Sequence, residues 1–230
     1  MQANERRDVV ATDLVAALTK PVQARDAGRQ ITAVAVDLLP NVDFASICVR
    51  AAGQPVRVVA PTDPRVLEAD RLQHELSEGP CLDVIDSMQA VRSADVARDP
   101  RWPLYGPKVA ASGIAAQTTL PLVSTGSMRA CVNLYSLSTG VTGGEPAGTD
   151  LFATHASVAL GFALQMRDLG EAMDRRKVIG QAIGIVMERY AINEEAAFAF
   201  LTRASQTANV KLRHIAEQIV AAVDERSKHG

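Results

Sequence analysis

From Thr149 onwards the sequence keeps helical spacing for roughly 40 residues, to about Tyr190, and this run divides the chain. Phe152, Ala159, Phe162, Met166, Leu169 and Met173 fall on the a and d positions of a heptad frame, with His155 and Arg176 as polar interruptions. Two readings of that stripe stay open: a helix packed on its own domain, or the seam of a parallel homodimer. Beyond it, short polar connections at Ala191–Asn193 and Ala208–Lys211 separate two more predicted helices, about Glu194–Thr207 and Leu212–Glu225. Asn193 suits the N-cap of the first of these, with Glu194 and Glu195 in its opening turn. The expectation is an all-α three-helix domain over 166–230, joined by a long connecting helix over about 149–190.

Ahead of that helix the period changes. Phe44 to Arg50 reads as a strand, Ala51 to Gln54 as a turn and Pro55 to Ala60 as a return strand, which is a β-hairpin. Ala90–Ser93, Ala116–Val123 and Ser127–Ser136 supply three more strands, the last two joined through Ser124, Thr125 and Gly126. Helices are expected from Asp8 to Leu39 (in two pieces, broken at Pro21), from Asp63 to Leu76, from Cys81 to Met88 and from about Gly106 to Ser112. Five strands mixed with flanking helices predict an α+β domain with a central antiparallel sheet over 1–165. Ser138–Gly148, rich in Gly, Thr and Pro, is the loop that ends it.

Composition excludes little but localises the question. With 47% hydrophobic and 22% charged residues the 230-residue chain is ordinary globular material, long enough for two small domains. Its net charge of -2 gives no global basic signature, so any nucleic-acid surface must be local. Over Asp168–Gly230 nine Lys/Arg meet nine Asp/Glu, yet between Arg175 and Arg213 seven basic residues face three acidic ones. That window, Arg175, Arg176, Lys177, Arg189, Arg203, Lys211 and Arg213, is either a phosphate-facing patch or a solvated helix surface. Cys48, Cys81 and Cys131 are far apart in sequence, with no metal-ligand spacing, and a polar start at Met1–Asp8 fits a reducing cytoplasm. No apolar run is long enough to span a membrane.

Cys81 follows Gly79-Pro80 at a helix start, where a dipole lowers a thiol pKa; a small buried hydrophobe is the alternative. Trp102 either walls a ligand pocket or anchors its Asp-Pro-Arg-Trp loop. Neither His74 nor His155 has metal-ligand partners at usable spacing, and no nucleophile–base set or phosphate-binding Gly loop is present, so neither catalysis nor a metal is expected. Tyr190 is the ring best placed for stacking on a base. Phe198 with Leu201 is expected to form a core pair, leaving Phe200 at an edge or dimer contact. Gly180 and Gly184, four apart in a helix, suggest close approach of another helix or of RNA backbone.

Two family resemblances sharpen this. The run Arg175-Arg176-Lys177-Val178-Ile179-Gly180-Gln181-Ala182-Ile183-Gly184-Ile185-Val186-Met187-Glu188-Arg189-Tyr190 resembles the first helix of the ANTAR family. Asn193 to Phe198, Leu201, Ala204-Ser205, Asn209, Lys211-Leu212 and Ile215-Ala216 match its other two helices. The resemblance implies RNA binding at paired, terminator-overlapping leader hairpins, with transcription antitermination as the outcome. Family members often carry Lys where Ile183 stands here, which removes one potential phosphate contact.

From about Ala24 to Leu164 the chain resembles the GAF family, in the subtype found with ANTAR in actinobacterial regulators. The likeness rests on Gly79-Pro80-Cys81-Leu82-Asp83, Asp95, Asp99-Pro100-Arg101-Trp102, Thr119-Leu120-Pro121-Leu122 and Ala130 to Ser136. It implies a small-molecule ligand without naming one, and Cys81 and Trp102 are the pocket candidates. With the heptad stripe and the scattered cysteines, the resemblances point to a dimeric cytoplasmic regulator gated by a signal. Its rivals are a DNA-binding protein using Leu212–Glu225 as a recognition helix, an enzyme using Cys81, and a ligand-binding dimerisation protein without nucleic acid.

Overall fold

The computed structural model describes residues 26–125, 127–140, 142 and 146–227. The helix expected from Asp8 as far as Arg25 lies outside them, as do Gly126, part of the Ser138–Gly148 loop and the tail at 228–230. The chain forms two compact units, Met1–Leu164 and Gln165–Gly230.

In the first unit the elements are α1 (Ala27–Leu38), β1 (Phe44–Ala51), β2 (Arg57–Val59), α2 (Pro64–Leu76), α3 (Pro80–Ser87), β3 (Val91–Ser93), a 3₁₀ turn at Val96–Arg98, α4 (Tyr105–Ala111), β4 (Ala116–Ser124) and β5 (Met128–Ser136). The five strands make one antiparallel sheet in the order β2-β1-β5-β4-β3. The caps follow the sequence: Asp63 accepts from the Arg65 backbone N–H at 2.9 Å with Pro64 in the first helical turn, and Pro80 likewise opens α3.

Alternation along the central strands builds two unlike faces. Ala45 and Ile47 of β1, Leu120 and Leu122 of β4, and Ala130, Val132 and Leu134 of β5 pack with Ile31 and Ala35 of α1 into an apolar core. The start of the long helix α5 (Pro146–Tyr190) joins that core through Phe152, Ala156 and Leu160. The opposite face carries Ser46, Cys48, Gln117, Thr119, Cys131, Asn133 and Tyr135, all buried. It is covered by Val66 and Ala69 of α2, Cys81, Val84 and Ile85 of α3, and Trp102, Tyr105 and Val109 at and near α4.

In the second unit the end of α5 packs with α6 (Glu194–Ala208) and α7 (Leu212–Ser227). Asn193 accepts from the Ala196 backbone N–H at 3.0 Å, and Asn209 ends α6 in the left-handed conformation, φ 53°. The core is small: Ala182, Val186, Ala197, Leu201 and Ala216 are its buried members. Ile183 packs partly against it. The buried pair on α6 is Ala197 with Leu201, not Phe198 with Leu201; a step of four residues selects the inner face, and both Phe198 and Phe200 are exposed. Gly180 and Gly184 have nothing within 4 Å of a would-be Cβ, so no helix among the described residues approaches them.

Candidate functional site

The polar face of the sheet gathers around one carboxylate. Asp70, on the inner side of α2, is fully buried. Its Oδ1 accepts hydrogen bonds from the Tyr135 hydroxyl at 2.6 Å, Asn133 Nδ2 at 3.0 Å and Gln73 Nε2 at 3.2 Å. Its Oδ2 accepts from the Ser46 hydroxyl at 2.7 Å. Burial pushes its carboxyl up to about 7, the neighbouring Cys81 adds to that, and the bonds from Tyr135 and Ser46 pull the other way. Tyr105, whose hydroxyl donates to Gln117 Oε1 at 2.8 Å, and Tyr135 are both raised well above the ordinary phenol value by burial.

All three cysteines meet beside this carboxylate. Cys48 and Cys131 stand opposite each other in the β1–β5 ladder, and Cys81 Sγ lies 3.7 Å from Cys131 Sγ. Asn133 Nδ2 contacts Cys48 Sγ at 3.3 Å as well as Asp70. Gln73 links the two groups: its Nε2 bonds Asp70 while its Oε1 accepts the Cys81 backbone N–H at 2.7 Å. Gly79, at φ +137°, makes room for that contact, since a Cβ there would collide with the Gln73 side chain. Hydrogen bonds from Cys131 and Cys48 hold the Cys81 thiol well below its ordinary value. Cys48 is pushed up by its bond with Cys131, and Cys131 by burial.

Of the two expected pocket residues, Cys81 belongs to this cluster and Trp102 does not. Trp102 is buried, donates its indole N–H to Asp83 Oδ2 at 2.9 Å and lies 4.3 Å beneath the Arg101 guanidinium, so it anchors its loop. A surface concavity sits elsewhere, beside Arg50, Gly53, Thr125 and Arg129. Both its arginines are turned to the C-terminus of α3: Arg50 pairs with Asp86 at 2.6 Å, and Arg129 donates to the Ile85 and Asp86 carbonyls at 3.0 and 2.8 Å. Asp70 and Gln73 were missed in the sequence. The signal was there, because Val66, Ala69, Asp70 and Gln73 share one helical stripe and two of them are polar.

On the second unit Arg175, Arg176, Lys177, Arg189, Arg203 and Lys211 are exposed, and none forms a salt bridge among the described residues. Arg213 differs: it pairs with Glu217 at 2.7 Å, and His214 contacts the same carboxylate at 3.0 Å. Tyr190 is 53% exposed, and its ring stands 5.4 Å from that of Phe200, 44% exposed and tilted by 39°. On α5, Phe162, Met166, Leu169 and Met173 are all at least half exposed, as is Val158, which the heptad frame left out. Phe152 is fully buried in the sheet's apolar core and Ala159 is partly buried against it, so these two positions serve the first unit.

The family model for the GAF domain matches residues 23–160, and that for the ANTAR domain matches residues 167–220. The chain belongs to the GAF domain family and carries an ANTAR domain behind it. It therefore joins a domain of a signal-sensing class to one of an RNA-binding class, both regulatory. The GAF fold recurs in solved structures. The GAF domain of a phosphoenolpyruvate-protein phosphotransferase from Coxiella burnetii is 13% identical, with TM-score 0.57 over 71% of this chain and 98% of that one. CepR2 from Burkholderia cenocepacia, an N-acylhomoserine lactone dependent LuxR family transcription factor, is 16% identical, with TM-score 0.55 over 69% and 98%. Escherichia coli SdiA is 15% identical, with TM-score 0.55 over 92% and 95%. No curated protein matches the chain significantly. Among the described residues no cluster of His, Cys, Asp or Glu is arranged to hold a metal ion, and no helix is long and apolar enough to cross a membrane.

Proposed function

We propose that this protein is a signal-responsive RNA-binding regulator that acts by transcription antitermination in the cytoplasm. Residues 1–165 are the sensor and residues 166–230 the RNA-binding part. The observation that carries the reading is the surface of the ANTAR domain: six exposed cations that form no salt bridge among the described residues, and on the same domain the exposed Tyr190–Phe200 ring pair. Cations free of carboxylates release counterions when they meet phosphate, and exposed rings stack on unpaired bases in hairpin loops. Arg175, Arg176, Lys177, Arg189, Arg203 and Lys211 contact phosphate, and Tyr190 stacks; Arg213, already paired with Glu217, is a weaker contributor.

Two copies associate through the exposed apolar residues of α5, Val158, Phe162, Met166, Leu169 and Met173, so that a dimer grips two RNA hairpins. A ligand or other signal at the GAF domain shifts the balance between two arrangements of differing RNA affinity.

A gel shift at fixed salt, comparing a two-hairpin leader RNA with duplex DNA, tests the reading. The RNA should bind more tightly, and the triple variant Arg175→Glu, Arg176→Glu, Lys177→Glu should lose that binding with its helix content intact. Preference for the duplex would overturn it. The DNA-binding alternative needs a basic α7, yet Arg213 and His214 both face Glu217.

A further inference from the structure

The three cysteines are all the chain contains, they are remote in sequence, and they share one buried cluster. We propose that Cys81 and Cys131 form a modification site for peroxides, which convert the pair to an intramolecular disulfide inside the GAF domain.

The sulfurs lie 3.7 Å apart, in van der Waals contact, and a disulfide needs about 2.05 Å. Closing that gap takes side-chain rotation, because α3 is already seated on the sheet and held at its start by the Gln73 bond to the Cys81 N–H. Cys81 is the nucleophile. It is the thiol whose proton the cluster releases most readily, since its neighbours Cys131 and Cys48 donate toward it. Access comes from the sheet edge. Half-buried Val56 and Val58 cover the thiols, and β2, the strand carrying Val58, is an edge strand only three residues long. Short edge strands open locally at a small fraction of the global unfolding free energy, and a peroxide is a small reactant.

The Cys81 thiolate attacks one peroxide oxygen. The O–O bond breaks, the departing oxygen takes a proton to leave as water or an alcohol, and Cys81 becomes a sulfenic acid. Cys131 then attacks the Cys81 sulfur. The S–S bond forms, the S–O bond breaks, and hydroxide leaves as water with the proton that Cys131 gives up. In sum two thiols and one peroxide give a disulfide, one water and one further water or alcohol; the thiols lose two electrons and the peroxide gains them. Cys48 is left as the free thiol, in the ladder between Val58 and Cys131. None of this requires RNA binding, so the two proposals fail separately.

The test uses the full-length protein, treated with hydrogen peroxide in native buffer, then alkylated in denaturant and mapped by mass spectrometry. The expected product has lost two hydrogens, carries a Cys81–Cys131 cross-linked peptide, alkylates only at Cys48 and recovers all three thiols with dithiothreitol. In Cys131→Ala the reaction should stop at a Cys81 sulfenic acid trapped by dimedone. Should that variant fail to fold, the wild-type peptide map decides alone. Three free thiols after a peroxide dose that oxidises the urea-unfolded chain would overturn the proposal, and so would a disulfide that includes Cys48.

Discussion

Replacing Asp70 by Asn removes a buried charge while keeping nearly the same shape, and its effect depends on pH in a way the site dictates. In the folded chain the carboxyl titrates at about 7, against an ordinary 3.8. A folded value above the unfolded one means that the stabilising form is the protonated one. The contribution is fully present below pH 3.8 and is lost as pH rises through 7. The whole difference amounts to about 4 kcal/mol, and roughly 2–3 kcal/mol of it falls between pH 5 and pH 8. Asn mimics the protonated acid, so Asp70→Asn should match the wild type only below about pH 4, and its advantage should grow by roughly 2–3 kcal/mol between pH 5 and pH 8. Urea titrations followed by fluorescence isolate the effect, because Trp102 is the single tryptophan and lies in the GAF domain. Parallel stability-versus-pH curves for the two proteins would refute the account of Asp70 as a desolvated carboxylate.

Four further outcomes follow from the geometry. Gly79→Ala places a Cβ against Gln73 at a positive φ and should cost at least about 2 kcal/mol by thermal melting. Gly53→Ala, at φ +70° with open space around it, should cost only about 1 kcal/mol. Leu201→Ala empties the centre of the three-helix core and should lower the stability of the ANTAR domain by about 2–5 kcal/mol, whereas exposed Phe198→Ala should change it by less than about 1 kcal/mol in circular dichroism melts. Tyr190→Ala should weaken hairpin RNA binding by about 1–3 kcal/mol, roughly fivefold to a hundredfold in Kd, at unchanged helix content; an unchanged Kd would remove Tyr190 from the interface.

Local pattern carried most of the fold. The hairpin at β1–β2, the β4–β5 pair and the three C-terminal helices were all legible from period and turn chemistry, because each depends on neighbours within about 20 residues. The cluster was not legible. Cys48 meets Cys131 only once β1 pairs with β5, and Cys81 reaches them only when α3 docks on that ladder. Sequence distance hides such convergence, so three scattered cysteines read as unrelated. Phe198 was misplaced for a different reason: Leu201 can share a face with residue 197 or residue 198, and only packing against Ala182, Val186 and Ala216 chooses the smaller side chain. The two α5 glycines suggested a close neighbour and have open space around them, which leaves their helical cost unexplained by contacts among the described residues.

The strict alternation along β5 bears on which length changes this domain tolerates. Ala130, Val132 and Leu134 look to one side while Cys131, Asn133 and Tyr135 look to the other. Inserting or deleting one residue before Ala130 would exchange the two sets, aiming an amide and a phenol at the apolar core and three aliphatic side chains at Asp70. Lengthening the Ala51–Gln54 turn displaces nothing of the kind. Insertions should therefore be absorbed at the hairpin tip and rejected in β5, since the strand's numbering is itself part of the site.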